Sequence, residues 1–138
     1  MKCYQLLDHT ADIGIAAFGS DLAEAFGKAA YAMFDIITDV DEVKETSSYD
    51  VRVSAGNIEE LLVAWLDELL YRYETERILC KRFVIEDMSD LRLSAVVFGE
   101  NADSTRHEIK TEIKSVTYHQ LKVEETKDGW RVQVIFDV

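Results

Sequence analysis

Apolar residues recur along this chain in two distinct rhythms. Leu22, Ala25, Phe26, Ala29, Ala30, Met33, Phe34 and Ile37 follow one another at spacings of three and four. That is the stripe of an amphipathic helix. Ser20 stands where an N-cap would sit, and Asp21 and Glu24 fall in a first turn that favours acidic groups. A second helix is predicted after Gly56. Asn57 and Glu60 have the spacing of a capping box, and Ile58, Leu61, Leu62, Trp65, Leu66, Leu69, Leu70 and Tyr73 form its stripe.

The other rhythm is alternation, which marks strands. Residues 4–7 and 13–18 read as strand, interrupted at 8–10 by polar, turn-forming groups. Tyr49, Val51, Val53 and Ala55 alternate with Asp50, Arg52 and Ser54. After Thr75 the chain reads as nearly all strand, over 82–87, 91–99, 109–116, 118–125 and 130–138. Lys127-Asp128-Gly129 makes a hairpin turn, with glycine where a positive φ is needed. In the last segment Trp130, Val132, Val134, Phe136 and Val138 share one face, and Arg131, Gln133, Ile135 and Asp137 share the other. No strand–helix–strand alternation is sustained. The pattern predicts one α+β domain over 1–138: an antiparallel meander, as one curved sheet or two packed sheets, with two amphipathic helices packed on an apolar face.

Composition narrows the function classes. With 48% apolar residues in 138, the chain has enough to bury a core. The net charge of −12 argues against strong direct binding to nucleic acid, whose phosphates such a surface repels. No run of 18 apolar residues and no basic-then-apolar leader is present, so neither a membrane span nor a signal peptide is expected. Cys3 and Cys80 have no CxxC spacing and read as free thiols in a reducing cytoplasm.

The chemistry sits at the two ends. Asp8-His9-Thr10-Ala11-Asp12 packs acid, imidazole and hydroxyl between apolar segments, and Asp137 lies within a hydrophobic run one residue from the far end. A carboxylate in a run that reads as buried strand calls for a compensating charge, and a metal ion supplies one. Asp12, Asp39 and Asp137 would suit a hard cation such as Mg²⁺ or Ca²⁺ better than zinc. On pattern alone each reads more readily as a solvated turn residue or cap, because lone aspartates are common in loops. His9 beside a carboxylate reads as a base, a ligand or a hydrogen-bonded turn residue. Lys114, opposite the core-facing Ile113, reads as a phosphate ligand, a partner for a carboxylate or a solubilising charge. Asp67 and Glu68 read as the exposed side of the second helix. No P-loop, GxGxxG, HExxH or nucleophile elbow accompanies them.

Four segments in order resemble the archease family: Tyr4-x-x-x-Asp8-His9-Thr10-Ala11-Asp12, Trp65-Leu66-Asp67-Glu68-Leu69-Leu70-Tyr71, Ile113-Lys114-Ser115-Val116-Thr117-Tyr118-His119 and Val134-Ile135-Phe136-Asp137-Val138. The resemblance spans the whole chain. It implies a cytoplasmic, non-enzymatic cofactor of the GTP-dependent RNA ligase of tRNA splicing. That ligase joins 2′,3′-cyclic phosphate or 3′-phosphate ends to 5′-hydroxyl RNA. The cofactor would promote guanylylation of the ligase and restore multiple turnover, touching tRNA only indirectly. It also implies a divalent-metal site, Ca²⁺ first with Mg²⁺ or Mn²⁺ as alternatives, at Asp12 and Asp137 with Asp39 as third ligand. His9, Thr10 and Lys114 would support it. Two other readings stand beside this one: a general chaperone or modifier of RNA-processing enzymes such as a tRNA methyltransferase, and a small metal-dependent hydrolase using His9 as base.

Overall fold

A computed structural model describes residues 3–7 and 12–138. The elements in order are β1 (Tyr4–Leu7), β2 (Ile13–Gly19), α1 (Leu22–Ile37), a 3-10 turn at Val40–Glu42, β3 (Ser47–Ser54) and α2 (Ile58–Glu76). Then come β4 (Ile78–Met88), β5 (Arg92–Asn101), β6 (Ser115–Thr126) and β7 (Gly129–Asp137). The strands form two antiparallel sheets, ordered β1-β2-β7-β6 and β3-β5-β4. This is the expected α+β class.

The helices lie between the sheets. α1 packs on β2 and β7 of the first sheet and on β4 of the second, while α2 packs on β6 and on β3, β4 and β5. That position explains a departure from a simple one-sided stripe. α1 buries Ala25, Phe26, Ala29, Ala30, Ala32, Met33, Phe34, Ile36 and Ile37, residues on several faces, because it has a sheet on both sides. Its one buried carboxylate, Asp35, accepts a hydrogen bond from Tyr4 Oη at 2.8 Å. Trp65 of α2 is fully buried and donates from Nε1 to the Phe26 carbonyl at 3.0 Å, tying the two helices together. Phe83 of β4 meets Trp65 edge-on at 6.2 Å and Phe34 face-on at 5.9 Å, which joins the second sheet to both helices.

The helix starts follow capping chemistry, with one correction. Asp21, not Ser20, is the N-cap of α1: its Oδ1 accepts from Glu24 N at 2.8 Å, and Glu24 Oε1 accepts from Ser20 N at 2.7 Å. A carboxylate there serves both the orphan N–H and the helix dipole. At α2 the Asn57 half of the predicted box is present, with Oδ1 accepting from Glu60 N at 2.8 Å, while Glu60 Oε2 accepts from Gly56 N at 3.1 Å, one residue before the N-cap. The hairpin turn also forms where expected. Gly129 has φ +148°, and a Cβ there would stand 2.2 Å from the Gly19 carbonyl oxygen.

The predicted strand over 109–116 is not one. Only Thr38 and Ile109 make an isolated bridge, and β6 begins at Ser115. The segment instead serves the end of α1. Lys110 N donates to the Ile37 carbonyl at 2.7 Å, and Thr38 Oγ1 donates to the Glu108 carbonyl at 2.6 Å. A helix C-terminus leaves carbonyls without partners, and this segment supplies donors for them. Ile113 is nevertheless buried and Lys114 exposed, as the apolar pattern required. Cys80 is a buried free thiol, and Cys3 is half-buried. No described helix is long and apolar enough to cross a membrane.

Candidate functional site

The first sheet brings the two ends of the chain together. β2 pairs antiparallel with β7, Ile13 opposite Phe136, so Asp12 and Asp137 are the next residues out on neighbouring strands. Alternation assigns them a face. Ile15 and Ala17 on β2, with Val132, Val134 and Phe136 on β7, belong to the core between the sheets. Asp12 and Asp137 have the opposite parity, that of Gly14 and Ile135, on the face turned away from that core, where Gly14, Ala16, Gln133 and Ile135 are themselves buried and the two aspartates half-buried. Gly14 lets the neighbouring strands come close: a Cβ there would stand a tight 3.2 Å from Leu7 Cβ and in ordinary contact, 3.5 Å, with Ile135 Cγ1.

Lys114 borders the same corner. Its backbone N–H donates to the Asp137 carbonyl at 2.7 Å, and Ser115 pairs with Asp137 across β6 and β7. Its side chain is exposed and lines a groove of about 500 Å³ together with Asp67, Tyr71 and Glu74 of α2. Asp67 has its pKa raised by partial burial and by the nearby Glu74 carboxylate, against the Val116 backbone N–H, which lowers it. The adjoining Glu68 pairs instead with Arg72 at 2.8 Å, so these two acids act separately. Just beyond, β6 departs from regular pairing between Thr117 and Lys122. Gln120 there takes φ 52°, held by Gln133 Nε2 donating to its carbonyl at 2.9 Å.

Asp39 arrives by a different route. It lies two residues beyond the end of α1 at Ile37, in the helix layer that packs on β2. Its carboxylate is exposed and caps the 3-10 turn, accepting from Asp41 N at 3.1 Å. Asp12 and Asp137 thus stand on neighbouring strands, whereas Asp39 comes from the helix layer. Among the described residues, no three His, Cys, Asp or Glu side chains are grouped closely enough to hold a metal ion. His9 and Thr10, with Asp8, lie outside the described residues.

A buried polar cluster escaped the sequence reading. Glu100 on β5 and His107 in the following loop are both buried, with His107 Nε2 2.9 Å from Glu100 Oε2. Asp103 N donates to His107 Nδ1 at 2.8 Å, so the ring proton resides on Nε2 and is donated to Glu100. Glu100 also accepts from Lys44 N at 2.7 Å and from Arg106. Burial alone would raise the Glu100 pKa, but the Lys44 N–H, the Arg106 guanidinium and His107 together hold it below the usual carboxylate range. Nothing periodic connects these positions. The only sequence signal was a glutamate and a histidine on either side of a polar loop.

The archease protein family (MTH1598/TM1083) matches this chain over residues 4–138. Protein archease of Methanosarcina acetivorans is 41% identical over 99% of this chain and 97% of its own length. Its counterpart in Sulfurisphaera tokodaii is 34% identical over the full length of both. In structure, Methanobacterium thermoautotrophicum protein 1598 superimposes with a TM-score of 0.85 at 36% identity, covering 100% of both chains. A Thermotoga maritima archease, described as a possible chaperone, shares the fold at a TM-score of 0.65 and 21% identity, covering 96% of this chain and 94% of its own. With the match running from the first strand to the last residue, the chain belongs to the archease family.

Proposed function

We propose that this protein is a non-enzymatic cofactor of the GTP-dependent RNA ligase of tRNA splicing, acting through a divalent cation held at the corner where β2 and β7 meet. The observation that carries the reading is the pairing of Ile13 with Phe136, which makes Asp12 and Asp137 cross-strand neighbours. Like charges directly opposite one another on adjacent strands destabilise a sheet. A cation between them turns that repulsion into attraction. Ca²⁺ takes six to eight oxygen ligands from carboxylates, backbone carbonyls and water, and an all-oxygen donor set fits it, or Mg²⁺ or Mn²⁺, better than zinc. Asp39 is the third candidate ligand, through Oδ2, while its Oδ1 accepts from Asp41 N.

In this reading the chain's own groups bind and orient. Asp12 and Asp137, both half-buried, hold the ion at this corner, where it adds positive charge for the ligase's nucleotide pocket. Lys114 makes no ion pair within 4 Å among the described residues, so its ammonium remains available to a partner's phosphate or carboxylate. The ligase would be guanylylated faster and turn over repeatedly, while RNA contacts the ligase and not this acidic surface.

The test is a multiple-turnover ligation assay with Asp12→Asn and Asp137→Asn. Both variants should fold, lose stimulation of the ligase and lose the rise in Tm that Ca²⁺ gives the parent protein. Full stimulation by both variants would reject the site. The description of the Thermotoga maritima relative as a possible chaperone favours a second reading, a general chaperone or modifier of RNA-processing enzymes such as a tRNA methyltransferase. That activity would survive both substitutions.

A further inference from the structure

Acids outnumber bases 27 to 15 in this chain, so an arginine has no shortage of partners. Five of the seven arginines have one: Arg72 pairs with Glu68, Arg77 with Glu112, Arg82 with Glu45, Arg106 with Glu100 and Arg131 with Glu124. Arg52 and Arg92 are the two without an ion pair among the described residues, and they lie in the same groove.

That groove, of about 710 Å³, runs over the outer face of the β3-β5-β4 sheet. The register defines its floor. Arg52 on β3 pairs with Ser94 on β5, and Ser94 pairs in turn with Asp87 on β4. In the next row on this face, Ser54 pairs with Arg92. Arg52 and Arg92 are therefore diagonal neighbours, roughly 7–8 Å apart along the sheet, within reach of one shared ligand group. Ser89, at the β4–β5 turn, accepts from Leu91 N and Arg92 N through its Oγ, which leaves its hydroxyl proton to donate.

Two guanidinium forks without carboxylates, flanked by serine hydroxyls, match the donors a phosphate group takes. A carboxylate at the far end of the same floor cannot bind phosphate, but Asp87 is suited to accept hydrogen bonds from vicinal hydroxyls. The volume falls in the range of small-molecule sites, above what a bare anion needs. We propose that this groove binds a phosphomonoester carried on a sugar, with Arg52 and Arg92 holding the phosphate and Asp87 the sugar hydroxyls. The groove lies on the opposite sheet from Asp12 and Asp137, so it stands or falls separately from the ligase reading.

The test is an NMR titration of the full chain with inorganic phosphate, ribose 5-phosphate and ribose at constant ionic strength. Ribose 5-phosphate should shift the amides around Arg52, Ser54, Arg92 and Ser94 saturably and bind more tightly than phosphate, with ribose alone silent. Arg52→Gln and Arg92→Gln should each weaken ribose 5-phosphate about tenfold, the loss of a charge-assisted pair, while Arg131→Gln leaves it unchanged. Asp87→Asn should weaken ribose 5-phosphate and not inorganic phosphate. Absence of saturable shifts through the millimolar range, or shifts that persist in both arginine variants, would overturn the site. Equal affinity for phosphate and ribose 5-phosphate would overturn the sugar half.

Discussion

Replacing Glu100 with alanine removes an acceptor shared by three donors from different parts of the chain: Lys44 N, Arg106 and His107 Nε2. The His107 side chain is wholly buried, so orphaning its N–H costs about 1–3 kcal/mol. The Lys44 N–H is only partly buried and the Arg106 side chain is about a third exposed, so water recovers most of both, and together they add about 1 kcal/mol. The total is about 2–4 kcal/mol, or a fall in Tm of roughly 6–15 °C for a chain of this length. Urea unfolding and thermal scans of the variant measure it directly.

The same carboxylate predicts a pH dependence. Its pKa is held below the ordinary value in the folded protein, so its stabilisation is complete above the unfolded glutamate pKa of about 4.3. It is lost as pH falls through the lower folded value. Between neutrality and about pH 5 the gap between parent and Glu100→Ala should be constant, and below about pH 4 it should close. A variant within about 0.5 kcal/mol of the parent at pH 7 would refute the account, because that is the range of surface substitutions that touch nothing. A gap that widened on acidification would refute the sign of the shift.

Three further outcomes follow from particular contacts. Gly129→Ala should lose at least ~2 kcal/mol in urea unfolding, since φ +148° and the Gly19 carbonyl 2.2 Å from a Cβ leave no relaxed geometry. Trp65→Phe should cost about 1–3 kcal/mol, because the Phe26 carbonyl loses its buried indole donor and the smaller ring leaves space against Phe83. Burial pushes the Cys80 thiol up to about 12, so a thiolate-selective reagent at pH 8 should label the half-buried Cys3 first and Cys80 only in denaturant.

What was legible in the sequence, and what was not, divides along physical lines. Both helices were read from periodicity, and α2 from its Asn57 cap as well, since local apolar spacing and capping chemistry are carried by neighbouring residues. The alternation of β7 named the residues that enter the core, Val132, Val134 and Phe136, but not that Gln133 and Ile135 on the other face are buried as well. The placement of the helices between two sheets was not legible, although Ala29, Ala30, Ala32 and Met33 form a run too apolar for a helix with a wet face. The segment 109–116 misled for a related reason. Its alternation is real, Ile113 in and Lys114 out, but its backbone donors are taken by the end of α1 and not by a neighbouring strand. Side-chain pattern reports burial, and only the partners of the backbone decide what is a strand.

The candidate site follows the same division. Asp12 and Asp137 were conspicuous as carboxylates set in apolar runs, and that conspicuousness required no knowledge of the fold. Their adjacency required β2 and β7 to be neighbours, a pairing across more than a hundred residues that no local signal encodes. Asp39 shows the converse. Its position just past a helix suggested either a cap or a ligand, and its carboxylate does cap the turn at Val40–Glu42. Asp39 keeps Oδ2 for an ion while Oδ1 accepts from the Asp41 N–H, but an ion relieves no repulsion there, whereas carboxylates at facing positions of β2 and β7 would gain by relief of their like charge. The energetic case for a cation is therefore strongest at the Asp12–Asp137 pair, and neutralising either member should remove more of the ion's affinity than neutralising Asp39. Calcium titrations of Asp12→Asn, Asp137→Asn and Asp39→Asn order the three contributions, and an Asp39→Asn loss exceeding the other two would reverse the argument.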